Sequence, residues 1–135
     1  MDWRLELVVV PVADIDRAIA FYRDQAGFNL DVDHDTGAMR VVQLSPPGSA
    51  CSIVTMLNPD AAGSMQGLHL VVKDIDAARA ELVGRGVDAS ELFHFGEGRQ
   101  MPGAHPNRGD YETFMSFSDP DGNGWLVQEV PSRPS

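Results

Sequence analysis

Two apolar runs in the chain are each followed by a helical pattern, and the second pair echoes the first. Leu7-Val8-Val9-Val10 reads as a buried strand, since a short run of β-branched residues suits an enclosed pleated segment. Asp14 opens a helix, where its carboxylate can accept the unpaired amides of the first turn. Ile15, Ala18, Ile19, Tyr22 and Ala26 then recur on one helical face, and Gly27 supplies a left-handed stop. Three shorter strands are expected at 29–33, 39–44 and 50–56, with turns at Gly37 and at 45–48. In the second half the strand is 68–72, the cap is Asp74, and the buried stripe is Ile75, Ala78 and Leu82, closed by Gly84 or Gly86. Strands follow at 87–94, 111–117 and 125–130, the last after a dense turn signal at 119–124.

The echo is also literal. Val12-Ala13-Asp14-Ile15-Asp16-Arg17-Ala18 returns 60 residues later as Val72-Lys73-Asp74-Ile75-Asp76-Ala77-Ala78. An internal repeat of this kind predicts an α+β fold built from two tandem βαβββ units, about 4–57 and 67–130, within one domain spanning 1–135. Residues 58–66 read as the link between the halves, and 96–110, with four glycines and two prolines, as a long irregular loop of the kind that often covers a site.

Composition narrows the function. A chain of 135 residues fits one ordinary domain. It has no apolar stretch of the ~18 residues that a membrane-spanning helix needs, and its N-terminus does not read as a signal peptide. The single cysteine, Cys51, excludes an internal disulfide and a cysteine-rich zinc site, and is consistent with a cytoplasmic protein. A net charge of −10 repels phosphate backbones, so nucleic acid is not an expected partner. No nucleophile elbow, phosphate loop or dinucleotide fingerprint occurs. Asp119 and Asp121, in Asp119-Pro120-Asp121-Gly122-Asn123, read as turn carboxylates that hold backbone amides.

A strand, a helix opening Asp-Ile-Asp-Arg-Ala-x-x-Phe-Tyr, three strands, and the same again ending in Asp-Pro-Asp-Gly-Asn resembles the vicinal oxygen chelate (glyoxalase/bleomycin resistance/dioxygenase) superfamily. The carrying segments are 12–22, 68–82 and 119–129, and the likeness spans nearly the whole chain. It implies a curved mixed sheet around a pocket between the units, helices outside, and a homodimer. It leaves the chemistry open, because this fold hosts several unrelated reactions.

Catalytic members of that superfamily hold a divalent ion with His, Glu or Gln side chains. One donor usually lies on each unit's first strand, seven residues before the helix-opening Asp, and another on the last strand, seven after the first Asp of Asp-Pro-Asp-Gly. Here those positions are Leu7, Gly67 and Leu126, none of which can bind metal. No carboxylate or imidazole occurs in the strand around 50–56 either. Since a transition ion wants three or more protein ligands, no cofactor is expected, and the resemblance implies a protein that binds a small organic ligand in the inter-unit pocket. Leu7, Val9, Cys51, His69, Leu126 and Gln128 are the candidate pocket residues. His69 lies two beyond Gly67 and Gln128 two beyond Leu126, so strand parity places each on the expected face. The alternative is a lyase or isomerase, glyoxalase- or epimerase-like, with His69 as general base. A shifted metal site of His69, Gln128 and Glu6 or Glu129 requires a bulge, because the two glutamates have the opposite parity. His34, His94 and His105 read as solvated loop residues, and Cys51 equally as a small packed strand residue.

Overall fold

A computed structural model describes residues 1–133 and divides the chain into two compact units. The first comprises residues 1–65 together with Asp119–Asn123. The second comprises Gln66–Ser118 and the chain from Gly124 onward. In element order the first unit is β1 (Leu7–Val12), α1 (Ile15–Ile19), a π-helical turn (Ala20–Gln25), β2 (Asn29–Asp35), β3 (Arg40–Ser45) and β4 (Ser52–Leu57). The second is β5 (Leu68–Val72), α2 (Ile75–Gly84), β6 (Phe93–Gly96), β7 (Arg99–Pro102), β8 (Phe114–Ser118) and β9 (Gly124–Glu129). The fold is α+β, with a four-stranded and a five-stranded mixed sheet.

The strand orders explain the repeat. In the first sheet the order is β1-β4-β3-β2, with β1 and β4 parallel and the other pairs antiparallel. In the second it is β5-β9-β8-β6-β7, again with a parallel pair, β5 and β9, at one edge. Each unit therefore opens with a strand that pairs with the unit's own last strand. A parallel partner demands a long crossover, and here it runs through the helix and the antiparallel strands that precede the unit's last strand. Both caps form as expected: Asp14 accepts from the Arg17 amide at 3.0 Å and Asp74 from the Ala77 amide at 3.1 Å.

The predicted stripe Ile15, Ala18, Ile19, Tyr22 and Ala26 is buried throughout. Phe21 is buried beside Tyr22, which a regular 3.6-residue helix cannot easily achieve on a narrow face. The π-helical turn resolves this: the Ala26 amide reaches back to Phe21 O at 2.8 Å, one residue further than in an α-helix. Of the second stripe, Ile75 and Leu82 are buried and Ala78 is half-buried. Gly86, at φ +86°, is the stop rather than Gly84, which is the last helical residue.

Three sequence expectations are corrected. The segment 87–94 buries Val87, Ala89 and Phe93 but exposes Glu91 of the same parity, and only β6 at its end is a strand. Upstream, Ser90 substitutes for a ladder: its amide donates to Ser116 O, and its Oγ accepts from the Ser116 amide. The strand expected from 111 begins at Phe114, because Tyr111 has φ +62°, a left-handed conformation that no strand contains. The expected loop 96–110 holds β7, which pairs Gly96 with Arg99 across a two-residue turn. Glu97 and Gly98 both have positive φ there, as the tight hairpin turn requires.

One buried carboxylate organises each unit. Asp119, 5% exposed, accepts from the Tyr22 hydroxyl at 2.7 Å, from Asn123 Nδ2 at 2.8 Å, and from the amides of Asp121 and Asn123 at 2.9 Å. Asp121 pairs with Arg17 at 2.6 Å and accepts from the Ala13 amide. The two carboxylates thus do the turn work read from the sequence. Gly63 packs on this turn: a Cβ there would meet Asp121 O at 2.2 Å, and its φ is +84°. In the second unit Glu129, 3% exposed, accepts from the Ile75 amide at 3.0 Å and from Arg108 Nε at 2.8 Å. Arg108 also pairs with Asp76, and these two carboxylates hold its guanidinium firmly in the charged state.

Tyr22→Phe removes one charge-assisted bond from Asp119 and is expected to lower unfolding free energy by about 1.5–3 kcal/mol. Gly63→Ala combines left-handed strain with a backbone clash and is expected to cost at least about 2 kcal/mol. Glu129→Ala leaves the Ile75 amide without its acceptor and is expected to cost about 1–3 kcal/mol. Urea denaturation of each variant measures all three, and a stability equal to that of the parent in any one contradicts the role given to that residue.

Candidate functional site

Side chains alternate along a strand, so register decides which residues share a face. In the second sheet His69 lies level with Leu126, and Val71 with Gln128. Gln128 is level with Phe114, and Leu126 with Ser116. Phe114 is in turn level with Phe93. One face therefore collects His69, Val71, Leu126, Gln128, Phe114 and Ser116. The other carries Trp125, Val127, Met115 and Phe117, all buried. On the first face His69 is exposed, Val71 is 40% exposed, and Leu126, Gln128, Phe114 and Ser116 are half-buried. It is the open face of this sheet.

Three phenylalanines gather there. Phe93 and Phe114 stack with centroids 5.9 Å apart, and Phe95, 55% exposed, meets Phe114 edge-on at 5.4 Å. Such a cluster offers apolar area and ring faces to a ligand. Phe93-x-Phe95 carried the signal for this in its period-two spacing, but 87–94 reads in the sequence only as a strand, with no face assigned. A cleft of about 660 Å³ lies in the same unit, lined in part by Gln66, Asp88, Ser90, Ser116, Trp125 and Leu126. Its volume falls within the range of small-molecule sites. Of the six candidate pocket residues, Leu126 alone lines it.

The polar handles of the open face are His69 and Gln128. His69 Nδ1 lies 2.5 Å from Gly67 O. A carbonyl only accepts, so Nδ1 is the donor and a neutral His69 keeps its lone pair on Nε2. Gln128 sits one strand away, diagonal to His69.

The other candidates fall in the first unit. Leu7 and Val9 share a face of β1, level with Ser52 and Val54 of β4. Val54 is level with Gln43, which places that polar side chain on the same face. Leu7 is half-buried and Val9 is 39% exposed, against a fully buried Val10 on the opposite face. Cys51 precedes β4, half-buried, its Sγ directed at Ser52 O at 3.7 Å. It is not a strand residue.

Within the second unit His69, Gln128 and Glu129 do not share one face. The strand positions that matter carry Leu7 and Leu126, and His69 has Leu126 as its immediate neighbour. The register between β5 and β9 runs without a bulge from Leu68 to Val72, so Glu129 stays on the face opposite His69, where Arg108 and the Ile75 amide engage it. Glu6 is exposed and lies before β1. Among the described residues no three His, Cys, Asp or Glu side chains come together as a metal cluster.

His34 lies in β2 rather than in a loop, level with Val41 and exposed. His94 and His105 meet edge-on at 5.3 Å. His94 Nδ1 lies 2.7 Å from Gly103 O, and His105 Nε2 lies 3.1 Å from Glu112. Neither is the freely solvated residue expected; both pin the chain that follows β7. No helix of the described residues is long and apolar enough to cross a membrane.

The comparisons agree with this architecture. The family model of the Glyoxalase/Bleomycin resistance protein/Dioxygenase superfamily matches residues 4–127. TnmS3, an antibiotic binding protein from Streptomyces sp. CB03234, is 31% identical with a TM-score of 0.74, covering 96% of this chain and 97% of its own. A glyoxalase/bleomycin resistance protein from the same Streptomyces strain is also 31% identical, with a TM-score of 0.69, covering 93% of this chain and 100% of its own. The uncharacterized protein YetH of Bacillus subtilis is 28% identical over 126 residues, covering 90% of this chain and 94% of its own. The two units, each a strand, a helix and further strands that return to a parallel edge, together with these matches make the chain a member of the glyoxalase/bleomycin resistance protein/dioxygenase superfamily.

Proposed function

We propose that the chain binds a small organic molecule, of the antibiotic kind, on the open face of its second sheet and without a metal ion. The observation that carries this reading is the composition of that face: the Phe95 and Phe114 rings, backed by the buried Phe93, and Leu126 supply apolar area, while His69 and Gln128 supply a few fixed polar contacts. Sites for drug-sized ligands have this make-up. The likeness to an antibiotic binding protein supports the ligand class. The donor set supports independence from metal, because Leu7, Gly67 and Leu126 offer no side-chain donor atom and His69 has no second imidazole or carboxylate level with it on the neighbouring strand. A net charge of −10 favours cationic over anionic ligands through long-range attraction.

A second reading rests on the His69 tautomer. With Nδ1 held by Gly67 O, the Nε2 lone pair is available to take a proton, and Gln128 can orient a carbonyl. That is the arrangement of a lyase or isomerase with His69 as general base. In this reading His69→Gln abolishes turnover while ligand affinity changes little; in the binding-only reading there is no turnover to lose.

The test is thermal shift followed by calorimetry, with bleomycin-type cationic antibiotics and planar aromatic antibiotics as probes. A true ligand present at 100 times its Kd stabilises the chain by about 2.7 kcal/mol, which is readily seen as a raised Tm. Phe114→Ala is expected to weaken that ligand about tenfold, and EDTA to leave its affinity unchanged. A panel with no effect on Tm counts against the binding reading. Loss of affinity in EDTA, restored by nickel, zinc or manganese, counts against metal independence.

A further inference from the structure

The open face of the second sheet changes character along its length. Ser118 is level with Gly124, Ser116 with Leu126, and Phe114 with Gln128, so these positions share one face. The phenylalanine end is the aromatic cluster described above. At the opposite end lies the cleft of about 660 Å³. Its floor is low because Gly67 and Gly124 carry no side chain and Ser118 a short one, which lets a ligand approach the backbone closely. Both glycines are required there: Gly67 has φ +79°, and a Cβ on Gly124 would meet Gln66 Oε1 at 2.1 Å.

The wall of this cleft is polar. Asp88 lies two residues before Ser90, whose amide bonds Ser116 O, and this brings it to the Ser118 end of β8. Val87 and Ala89 on either side of it are buried, while Asp88 is exposed. Ser90 Oγ is already spent on Glu91 O and the Ser116 amide. The Asp88 carboxylate and the hydroxyls of Ser116 and Ser118, by contrast, are engaged by no other group among the described residues. Asp88 is also the one charged side chain among the described residues that line the cleft. Two hydroxyls that both donate and accept, beside a carboxylate that only accepts, match a ring bearing hydroxyls and an ammonium. An anionic group there meets repulsion from Asp88 and from the net charge of −10.

Distance ties the two ends together. From Ser118 to Phe114 is four residues of β8, about 13 Å of strand. A single ring cannot touch both ends, whereas a fused aromatic body carrying one sugar can. We propose that the cleft takes an amino sugar carried by a ligand whose aromatic body lies on Phe95 and Phe114. The inference rests on the reading of this face given above and names the polar half of its ligand. The ammonium pairs with Asp88, and the ring hydroxyls exchange hydrogen bonds with Ser116 and Ser118 above the glycine floor.

The experiment is a calorimetric titration of the full chain with daunorubicin, an aromatic body bearing an amino sugar, alongside its aglycone daunomycinone and N-acetyldaunorubicin. The amino glycoside is expected to bind about tenfold tighter than the aglycone, and about threefold tighter than the acetylated form at low salt. Ser118→Leu, at an exposed position, fills the cleft and is expected to weaken the glycoside about tenfold while leaving the aglycone unchanged. Asp88→Asn, also exposed, is expected to abolish the difference between the amine and its acetamide. Phe114→Ala reports on the aromatic reading separately, because it weakens glycoside and aglycone alike; its failure to do so counts against that reading and not against the cleft. The amino-sugar proposal is overturned by an aglycone that binds as tightly as the glycoside, by a glycoside preference that survives Ser118→Leu, by an acetamide equal to the amine in the parent chain, by a difference between them that persists in Asp88→Asn, or by no binding of the glycoside at all.

Discussion

A carboxylate taken out of water must be met by donors on nearly every lone pair, and Asp119 imposes that demand on the first unit. Its oxygens take a phenol, a side-chain amide and two backbone amides. Each donor is fixed in turn. Tyr22 sits where the π-helical turn places it. Asn123 spends its remaining capacity on Pro11 O and the Met65 amide. The strand β1, the helix, the end of the linker and the 119–123 turn therefore converge on one charge. An unmet donor or acceptor there costs more than a typical bond is worth, so the arrangement has few tolerable alternatives. Glu129 imposes the same demand on the second unit, through Arg108 and the start of α2.

With the strand ends held, the faces follow. Parity puts Trp125, Val127 and Glu129 inward and leaves Leu126 and Gln128 on the open side. The same alternation that builds the core thus decides what a ligand can touch. A shift of one residue in β9 would exchange the two sets and bury Gln128. The buried Glu129 resists such a slip, since its acceptors would lose both Arg108 and the Ile75 amide.

The sequence makes the frame legible and the site only partly so. Both helix caps, the strand that precedes each, and the turn role of Asp119 and Asp121 can be read from local chemistry, because a cap or turn needs particular residues at particular offsets. The parity argument for His69 and Gln128 also transfers to the register. What the sequence hides is long-range or conformational. The left-handed Tyr111 sits in a run that reads as strand, and nothing in its type announces φ +62°. β7 lies among glycines and prolines that suggest a loop, although Glu97-Gly98 is a two-residue turn. Ser90 replaces a ladder bond with its hydroxyl, which no periodicity records. The phenylalanine cluster depends on β6 lying next to β8, and the unpaired Thr55 hydroxyl on what covers β4. Both are facts of packing between segments distant in the chain.

The first compact unit is not a continuous piece of polypeptide: residues 119–123 complete it, and they come after most of the second unit in the chain. During synthesis, residues 1–65 emerge with Tyr22 lacking its carboxylate and Pro11 O lacking its amide donor, and they stay so until more than fifty further residues have appeared. Contacts closed over such separations form slowly. The first half of this chain is therefore made early but finished late, and a gene split at the repeat boundary would yield a fragment missing its own keystone.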